Sequence, residues 1–354
     1  MNHGVGTPEG RKRRKTAAVS AATLLLLSLL VFRVFRDHAR EILENIRAVS
    51  LPELLVLLAM GVAYQLLESA VCVTLVRRRL PAFSFRQAVE VTLLGVFGNV
   101  STLSAGTIPM QSGYLRRCGL MAGGGAGIMT LEYVFHKTAV LAYTTVMLLL
   151  QGRWLGGTAR GLARWLFLGY GICALIIAGL LLLCTWERVQ RLALRGMDRL
   201  PDTEAWERRR RLWQANLTAL YEESRQLLRD GRCLMKVLAW NAQHLCCLYS
   251  IPFLAAQMLE IPGPGFRQMQ LLTGLMHLIS NALPNVAGVG PVEFAFVMIF
   301  SRYMTYAQAS SALILYRVAT FFFPFVLSVI VFLRVQRQVL DHAAGEKYNR
   351  RCEL

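Results

Sequence analysis

Six uninterrupted apolar blocks, each about as long as a lipid bilayer is thick, constrain this chain more than any other feature. A helix needs roughly 20 apolar residues to cross the hydrocarbon core of a membrane. The chain is 55% hydrophobic and only 17% charged, whereas soluble proteins carry about 25% charged residues. The sequence therefore excludes an ordinary soluble protein and predicts an all-α integral membrane protein, a polytopic helical bundle. The predicted spans lie at about 17–35, 51–76, 121–150, 165–185, 236–259 and 308–333.

Two further apolar blocks, 87–113 and 269–303, are each interrupted by small, polar and helix-breaking residues. Proline interrupts the hydrogen bonding of a helix, and backbone polar groups without partners are not tolerated against lipid. Neither block can be one continuous helix, so we predict that each is a re-entrant hairpin that enters and leaves the membrane on the same side. The hairpin breaks are assigned to Gly106, Pro109, Pro284, Gly288, Gly290 and Pro291.

The distribution of basic residues orients the chain. With both broken blocks taken as hairpins, 28 of the 39 Lys and Arg residues fall on one side of the membrane and nine on the other. Cytoplasmic loops collect Lys and Arg, so both termini are predicted to be cytoplasmic. In the alternative, in which each broken block crosses fully, Arg116, Arg117 and the later basic loops lie on the wrong side. The net charge of +18 then follows from topology, and no nucleic-acid partner is predicted.

This topology contains an inverted repeat. Residues 17–150 form span, span, hairpin and span, and residues 165–333 repeat these elements in the opposite orientation, between a basic N-terminus (1–16) and a basic tail (334–354). Inverted repeats with paired broken helices are the recurring architecture of secondary transporters, whose substrate site lies near the breaks. The inserted linker 186–236 is predicted to form an amphipathic helix. It either lies on an anionic leaflet or is a solvated connector.

Ionisable side chains inside a membrane need a partner, a water-filled cavity or a function. Glu293 follows Pro291 by two residues, where it can cap the N–H groups of a second half-helix or attract a cationic headgroup or ion. Arg317 can form an ion pair with Glu293 or bind a lipid phosphate. The intramembrane candidates are Glu68, Glu90, Glu132, His136, Lys137, His244, His277, Glu293 and Arg317.

The first hairpin offers an anion site by geometry. Thr107 can cap its second half-helix, with Pro109 near the start, and the free N–H groups there attract anions. Arg116 and Arg117 lie about where a cytoplasmic-leaflet phosphate would be, or they are ordinary positive-inside charges. Glu132 and His136 share a helix face, but the rest of an H-E-x-x-H pattern is missing, which favours a polar pair over a metal site. No metal, cofactor or catalytic motif is predicted.

Four motifs together point to a family. The first hairpin contains Pro109-Met-Gln111, then Tyr114, the pair Arg116-Arg117 and a glycine; the second runs from Pro284 to Phe296 and includes Glu293. The third predicted span contains Leu131-Glu-Tyr-Val-Phe135, and the last contains Leu315-Tyr-Arg317. In these segments the chain resembles the transmembrane domain of bacterial lysylphosphatidylglycerol synthases, the MprF-type lipid flippase domain.

The resemblance implies a flippase for phosphatidylglycerol-type lipids, chiefly lysylphosphatidylglycerol, in the bacterial cytoplasmic membrane. It implies headgroup binding by Arg317, Glu293, Gln111, Tyr114, Arg116, Arg117 and Glu132. Full-length relatives add lysine to phosphatidylglycerol with a fused soluble domain, which we expect this chain to lack. Two alternatives stay open: a membrane component of a phosphatidylglycerol lysyltransferase system that needs a separate catalytic domain, and a non-transporting membrane scaffold. The expected partners are membrane phospholipids, with a separately encoded synthase and a homo-oligomer left open.

Overall fold

The computed structural model describes residues 44–45, 47–120, 122–158, 160–197, 204–283 and 289–352. The described residues are mostly helical and contain no strand. The predicted N-terminus 1–16, the first predicted span 17–35, Pro284 and Gly288 lie outside the described residues. The helices, in chain order, are α1 Leu51–Val76, α2 Phe85–Ser101, α3 Thr107–Arg117, α4 Ala122–Thr158, α5 Arg160–Thr185, α6 Glu187–Met197, α7 Glu204–Arg229, α8 Gly231–Met258, α9 Phe266–Ala282, α10 Pro291–Phe300, α11 Tyr306–Arg317 and α12 Phe323–Cys352.

Three of the described helical stretches are long and apolar enough to cross a membrane. They are α1, residues Gly124–Leu155 of α4, and Tyr306–Gln338, which runs through α11 and into α12. They coincide with the predicted spans 51–76, 121–150 and 308–333. A shorter apolar stretch, Phe167–Leu182, lies in α5. The predicted all-α membrane fold is confirmed, and the number of six full spans stays a prediction.

Helices α2 and α3 form an antiparallel hairpin. At its open end, Gln87 Nε2 donates to Cys118 Sγ at 3.7 Å. At its closed end, a Cβ added to Gly98 would lie only 2.5 Å from the carbonyl oxygen of Gly106, so only glycine allows the two arms to approach this closely. Since α2 has 17 residues, it is about 25 Å long, which is shorter than the roughly 30 Å of a bilayer core.

The second broken segment also folds back on itself. Helix α9 packs against α10, and α10 begins directly after Gly290, whose φ of 104° lies in the left-handed region that favours glycine. Pro291 is the first residue of α10, where the missing N–H costs nothing because the first N–H groups of a helix have no partner within the helix. The sequence-predicted breaks at Gly290 and Pro291 therefore coincide with an observed helix start.

Two apolar clusters form the core. The larger one joins α1, α4 and α8 to the second hairpin and α11, with Tyr249, Phe296 and Phe300 fully buried. The smaller one lies around the first hairpin and includes Phe83 and Leu115. Helices α1 and α8 come from different halves of the sequence and pack against each other, so the predicted repeats do not fold as separate units.

The linker helix α7 packs against α4 and α5. A Cβ added to Gly127 of α4 would lie 3.1 Å from the Cβ of Ala219. Glu223 is 3% exposed. Its Oε1 atom forms an ion pair with Nη2 of Arg79 at a distance of 2.8 Å. Nearer the start of α7, Arg211 donates to Glu207 at 2.8 Å and holds the pKa of that exposed carboxyl below its ordinary value. Part of the linker therefore belongs to the helical bundle.

Candidate functional site

A cavity of about 610 Å³ lies where the break of the first hairpin faces the end of α9. A narrower recess of about 100 Å³ reaches from it toward α8. The two share Glu68, Thr107, Ile108, Gln111 and Tyr133 in their walls. The larger cavity is completed by polar residues of α2, α4 and α9, among them Thr92, Asn99, Lys137, Ser280 and Asn281. The recess is completed by residues of α4 and α8 that include Glu132, His136, Asn241 and His244.

Lys137 is the basic residue in the wall of the larger cavity. Its ammonium donates to Asn281 Oδ1 at 2.6 Å and lies 5.1 Å from the centroid of the Tyr133 ring. This hydrogen bond ties α4 to the end of α9 at the second hairpin. Within the part of the chain that the structure describes, no carboxylate forms an ion pair with Lys137, which leaves its charge available to an anion in the cavity.

Two carboxylates, Glu68 of α1 and Glu132 of α4, line the recess. Among the described residues neither carboxylate makes a hydrogen bond or an ion pair. His244, whose side chain is 3% exposed, lies edge-on to His136 with 5.4 Å between ring centroids. The cavity system therefore holds one cationic and two acidic side chains that have no opposite charge beside them.

The second half-helix of the first hairpin points its N-terminus toward this cavity. Helix α3 begins at Thr107, and Thr107 and Ile108 line both the cavity and the recess. The residue at the cap position is Gly106, which has no side chain to cap the helix. The expectation that Thr107 caps this helix is therefore wrong: Leu103 and Ser104 take up left-handed φ angles of 56° and 76°, and the helix starts at Thr107 itself, one residue earlier than a Thr107 cap would require. Free N–H groups at such a terminus favour an anion.

Arg317 and Glu293 form an ion pair with 2.5 Å between their nitrogen and oxygen atoms, and their side chains are only 11% and 16% exposed. Glu293 also accepts a hydrogen bond from the backbone N–H of Gly290 at 2.6 Å. Two structural roles predicted as alternatives from the sequence are thus observed: Glu293 caps the N-terminus of α10, and Arg317 forms an ion pair with Glu293. The pair joins the second hairpin to the last long helix, and neither residue is among the described residues that line the cavity or the recess.

A short π-helical turn, Val318–Phe322, follows Arg317 directly. The Tyr64 hydroxyl donates to the carbonyl of Thr320 at 2.8 Å, and Gly61 lies against the carbonyl of Ala319. On the other side, the Tyr316 hydroxyl lies 3.0 Å from His277 Nε2. Turns of this kind are frequent at functional sites, and this one fixes the position of Arg317 relative to α1 and α9.

The structure brings together some of the sequence-predicted headgroup residues and separates others. Gln111 lines both the cavity and the recess, and Glu132 lines the recess. Tyr114 instead donates to the Glu90 carboxylate across the first hairpin. Arg116 and Arg117 are exposed at the end of α3.

Arg117 and Tyr114 line a separate cavity of about 210 Å³ together with Pro109 and residues of α12, including Phe332. This cavity lies between the first hairpin and the last helix. The sequence-predicted residues thus divide among the cavity and its recess, this separate cavity, the exposed end of α3 and the ion pair at Arg317.

Lys137, Glu68, Thr107 and Asn281 belong to the cavity but were not among the sequence-predicted headgroup residues. The sequence does signal Lys137 and Glu68, because a charged residue in an apolar helix needs a reason to be there. Which of these charges remain without a protein partner depends on helix rotation and packing. Within the described residues no three His, Cys, Asp or Glu side chains are grouped to hold a metal ion.

Comparison with curated proteins finds no match. The sequence profile of the family described as "Lysylphosphatidylglycerol synthase TM region" matches residues 18–328. That range includes both hairpins, the described residues that line the cavity and the recess, and the ion pair between Arg317 and Glu293. Because the profile covers most of the 354 residues, the chain belongs to the lysylphosphatidylglycerol synthase transmembrane family.

Proposed function

We propose that this protein is a lipid flippase that moves phosphatidylglycerol-type lipids, in particular lysylphosphatidylglycerol, between the leaflets of the bacterial cytoplasmic membrane. The observation that carries the proposal is the cavity between the break of the first hairpin and the end of α9, in which Lys137 has no ion-pair partner within the described part of the chain. A cation of this kind in an apolar helix needs an anion, and a lipid phosphate supplies one.

The charges around the cavity match the two ends of an aminoacylated phosphatidylglycerol headgroup. The phosphate would lie near Lys137 and the N-terminus of α3, where a cation and free N–H groups favour an anion. The ammonium groups of the aminoacyl part would lie toward Glu68 and Glu132, which line the adjoining recess. A lipid with both charges would place an anion near Lys137 and a cation near Glu68, which lines the larger cavity as well as the recess, whereas phosphatidylglycerol would satisfy only Lys137.

Movement of the headgroup needs the two halves of the bundle to change their arrangement. The Arg317–Glu293 pair and the hydrogen bond between Lys137 and Asn281 both hold the second hairpin in place. A phosphate that reached Arg317 would compete with Glu293 for the guanidinium and so release this hairpin. The exposed Arg116 and Arg117 would attract anionic headgroups at the cytoplasmic surface.

A liposome assay with the purified chain tests the proposal. Fluorescent phosphatidylglycerol and lysylphosphatidylglycerol are compared in wild type, Lys137→Gln and Arg317→Ala, with Arg302→Gln as a matched control because Arg302 is exposed at the end of α10. We expect accelerated movement in wild type and the control, and at least tenfold slower movement in Lys137→Gln. Equal rates in wild type and Lys137→Gln, or no movement by folded wild type, would refute it.

A second candidate is favoured by the description of the family, which names a synthase. In that case the chain is the membrane component of a phosphatidylglycerol lysyltransferase system and works with a separate catalytic domain. Membranes with and without the chain are supplied with a soluble synthase and lysyl-tRNA. Lysylphosphatidylglycerol formation that requires the chain, together with no lipid movement by the chain alone, supports this candidate. Failure in both assays leaves a membrane scaffold.

A further inference from the structure

We propose that Glu68 and Glu132 form a proton-binding site through which a pH difference across the membrane drives lipid movement. The inference rests on the proposed function in one respect, because a bound proton can drive lipid movement only in a protein that moves lipid. The site itself depends only on the residues of the recess. Proton binding at this site would supply the energy for transport. Without it, the cavity would only lower the barrier to passive exchange of lipid between the two leaflets.

The geometry of the recess is the first step. Glu68 comes from α1 and Glu132 from α4, and both carboxylates line a space of about 100 Å³. This volume holds about three water molecules, each of which occupies roughly 30 Å³ in the liquid. It is therefore large enough for water to bring a proton and much too small for a lipid headgroup.

Among the described residues, no fixed cation forms an ion pair with either carboxylate of the recess. In the described part of the chain neither carboxylate forms an ion pair or a hydrogen bond, and Lys137 is turned to Asn281 in the larger cavity. Two ionised carboxylates that face one recess inside an apolar bundle repel each other and lose hydration. A mobile cation has to offset that charge, and a proton needs only one carboxylate oxygen.

His244 adds a buried polar group to the same recess, independently of the two carboxylates. It lines the same recess, its side chain is 3% exposed, and its Nδ1 atom has no hydrogen-bond partner among the described residues. Its ring lies edge-on to Tyr64 and His136, with centroids 5.6 Å and 5.4 Å apart. A buried imidazole nitrogen without a protein partner is a position to which water in the recess can hydrogen-bond, whichever ring nitrogen carries the hydrogen.

The charged and titratable groups around the two carboxylates come from several helices. Helices α2 and α3 contribute only uncharged side chains to the cavity and the recess, and α9 contributes Ser280, Asn281 and Leu283. A bound proton therefore faces imidazoles and phenols, and among the described residues the nearby permanent cations are Lys137 in the larger cavity and Arg317 beyond Tyr64 and His277. The titratable groups that face or adjoin the recess are Tyr64, Cys72, Tyr133, His136, Lys137 and His244 on α1, α4 and α8, together with His277 on α9, which lies close to His136 and His244.

Lipid binding and proton binding are coupled because the recess and the larger cavity share part of their walls. Glu68 lines both the recess and the larger cavity, so a cationic headgroup in the cavity and a proton in the recess compete for the same carboxylate. When the ammonium group of a lipid arrives, the proton leaves to water, and one positive charge replaces another. The return of the empty site to the opposite leaflet then requires a proton to bind again.

The experiment uses the full chain in liposomes with an imposed pH difference and the membrane potential held at zero by potassium and valinomycin. We expect the rate of lysylphosphatidylglycerol movement in wild type to rise at least threefold with one gradient polarity and to fall when the gradient is reversed. Glu68→Gln and Glu132→Gln should lose this response to the gradient, whatever their basal rates. Glu260→Gln is the matched control, since Glu260 is an exposed residue outside both cavities, and should keep the response.

Infrared difference spectra between acidic and neutral pH provide a second readout that needs no transport. The carbonyl band of a protonated carboxylic acid should change in wild type and in Glu260→Gln and weaken in both cavity variants. An unchanged band in Glu68→Gln and Glu132→Gln refutes the site. Transport by wild type that ignores the gradient refutes the coupling even where the band is present. If wild type moves no lipid, the proposed function fails, and the infrared band alone decides whether the pair binds a proton.

Discussion

The ion pair between Arg317 and Glu293 shows how a charged residue is held inside an apolar helix. Arg317 lies just before the π-helical turn of the last long helix, and Glu293 lies in the first turn of α10. Each charge offsets the other, and Glu293 also satisfies the N–H of Gly290. A buried pair of this kind adds little stability as a pair, but the loss of one partner leaves a charge without compensation.

We therefore predict that Arg317→Ala lowers the free energy of unfolding by about 3–5 kcal/mol, the range for breaking a buried ion pair. The double variant Arg317→Leu with Glu293→Gln should recover most of that loss, because the glutamine carbonyl can still accept from Gly290 and no charge remains. Thermal unfolding of the purified chain in detergent measures the difference. A double variant as unstable as Arg317→Ala would show that the pair stabilises the fold by something other than charge compensation.

At the scale of elements, the π-helical turn and α1 form one close contact. A Cβ added to Gly61 would overlap the backbone carbonyl oxygen of Ala319, which cannot move as the end of a flexible side chain can. Tyr64, one turn further along α1, donates to the next carbonyl, that of Thr320. The position of Arg317 therefore depends on the small size of Gly61.

We predict that Gly61→Ala destabilises the protein by about 1–3 kcal/mol, the usual cost of an overpacked contact, and slows any lipid movement. Gly179→Ala is the matched control, because Gly179 lies in a helix and a Cβ there meets nothing within 4 Å. Replacing a helical glycine with alanine in open space should stabilise the chain slightly. Unfolding temperatures of the three proteins in one detergent provide the measurement, and equal temperatures for both variants would contradict the prediction.

The helices and the positions of their breaks could be predicted from the sequence, whereas the partners of the charged residues could not. Apolar block length and the proline and glycine positions predict α1, α4 and the start of α10 at Pro291. The start of α3 was misplaced because Leu103 and Ser104, which are not glycines, take up left-handed conformations. Lys137 was not assigned to the site, because its hydrogen bond to Asn281 joins residues 144 positions apart in the chain.

At the scale of the whole molecule, the linker ties the halves together rather than merely connecting them. Helix α7 packs against α4 and α5, and the ion pair between Arg79 and Glu223 joins α7 to the segment after α1. The first hairpin follows that segment directly along the chain. Any rocking of one half against the other has to carry α7 with it or break this ion pair, so the linker limits how far the cavity can open.

The last prediction concerns the side of the membrane that the ends of each hairpin face. The two outer ends of the first hairpin lie together, since Gln87 contacts Cys118, and the positive-inside rule predicts that they face the cytoplasm. Cysteines at position 84 (Ser84→Cys) and at the native position 118 should therefore react with a membrane-impermeant maleimide from the cytoplasmic side. Arg302→Cys, at the end of the second hairpin, should react only from the opposite side. Each cysteine is tested alone in a chain whose other cysteines are replaced by serine, in vesicles of both orientations. Labelling of positions 84 and 118 from opposite sides would mean that the first broken block crosses the membrane fully, and the inverted repeat would then be lost.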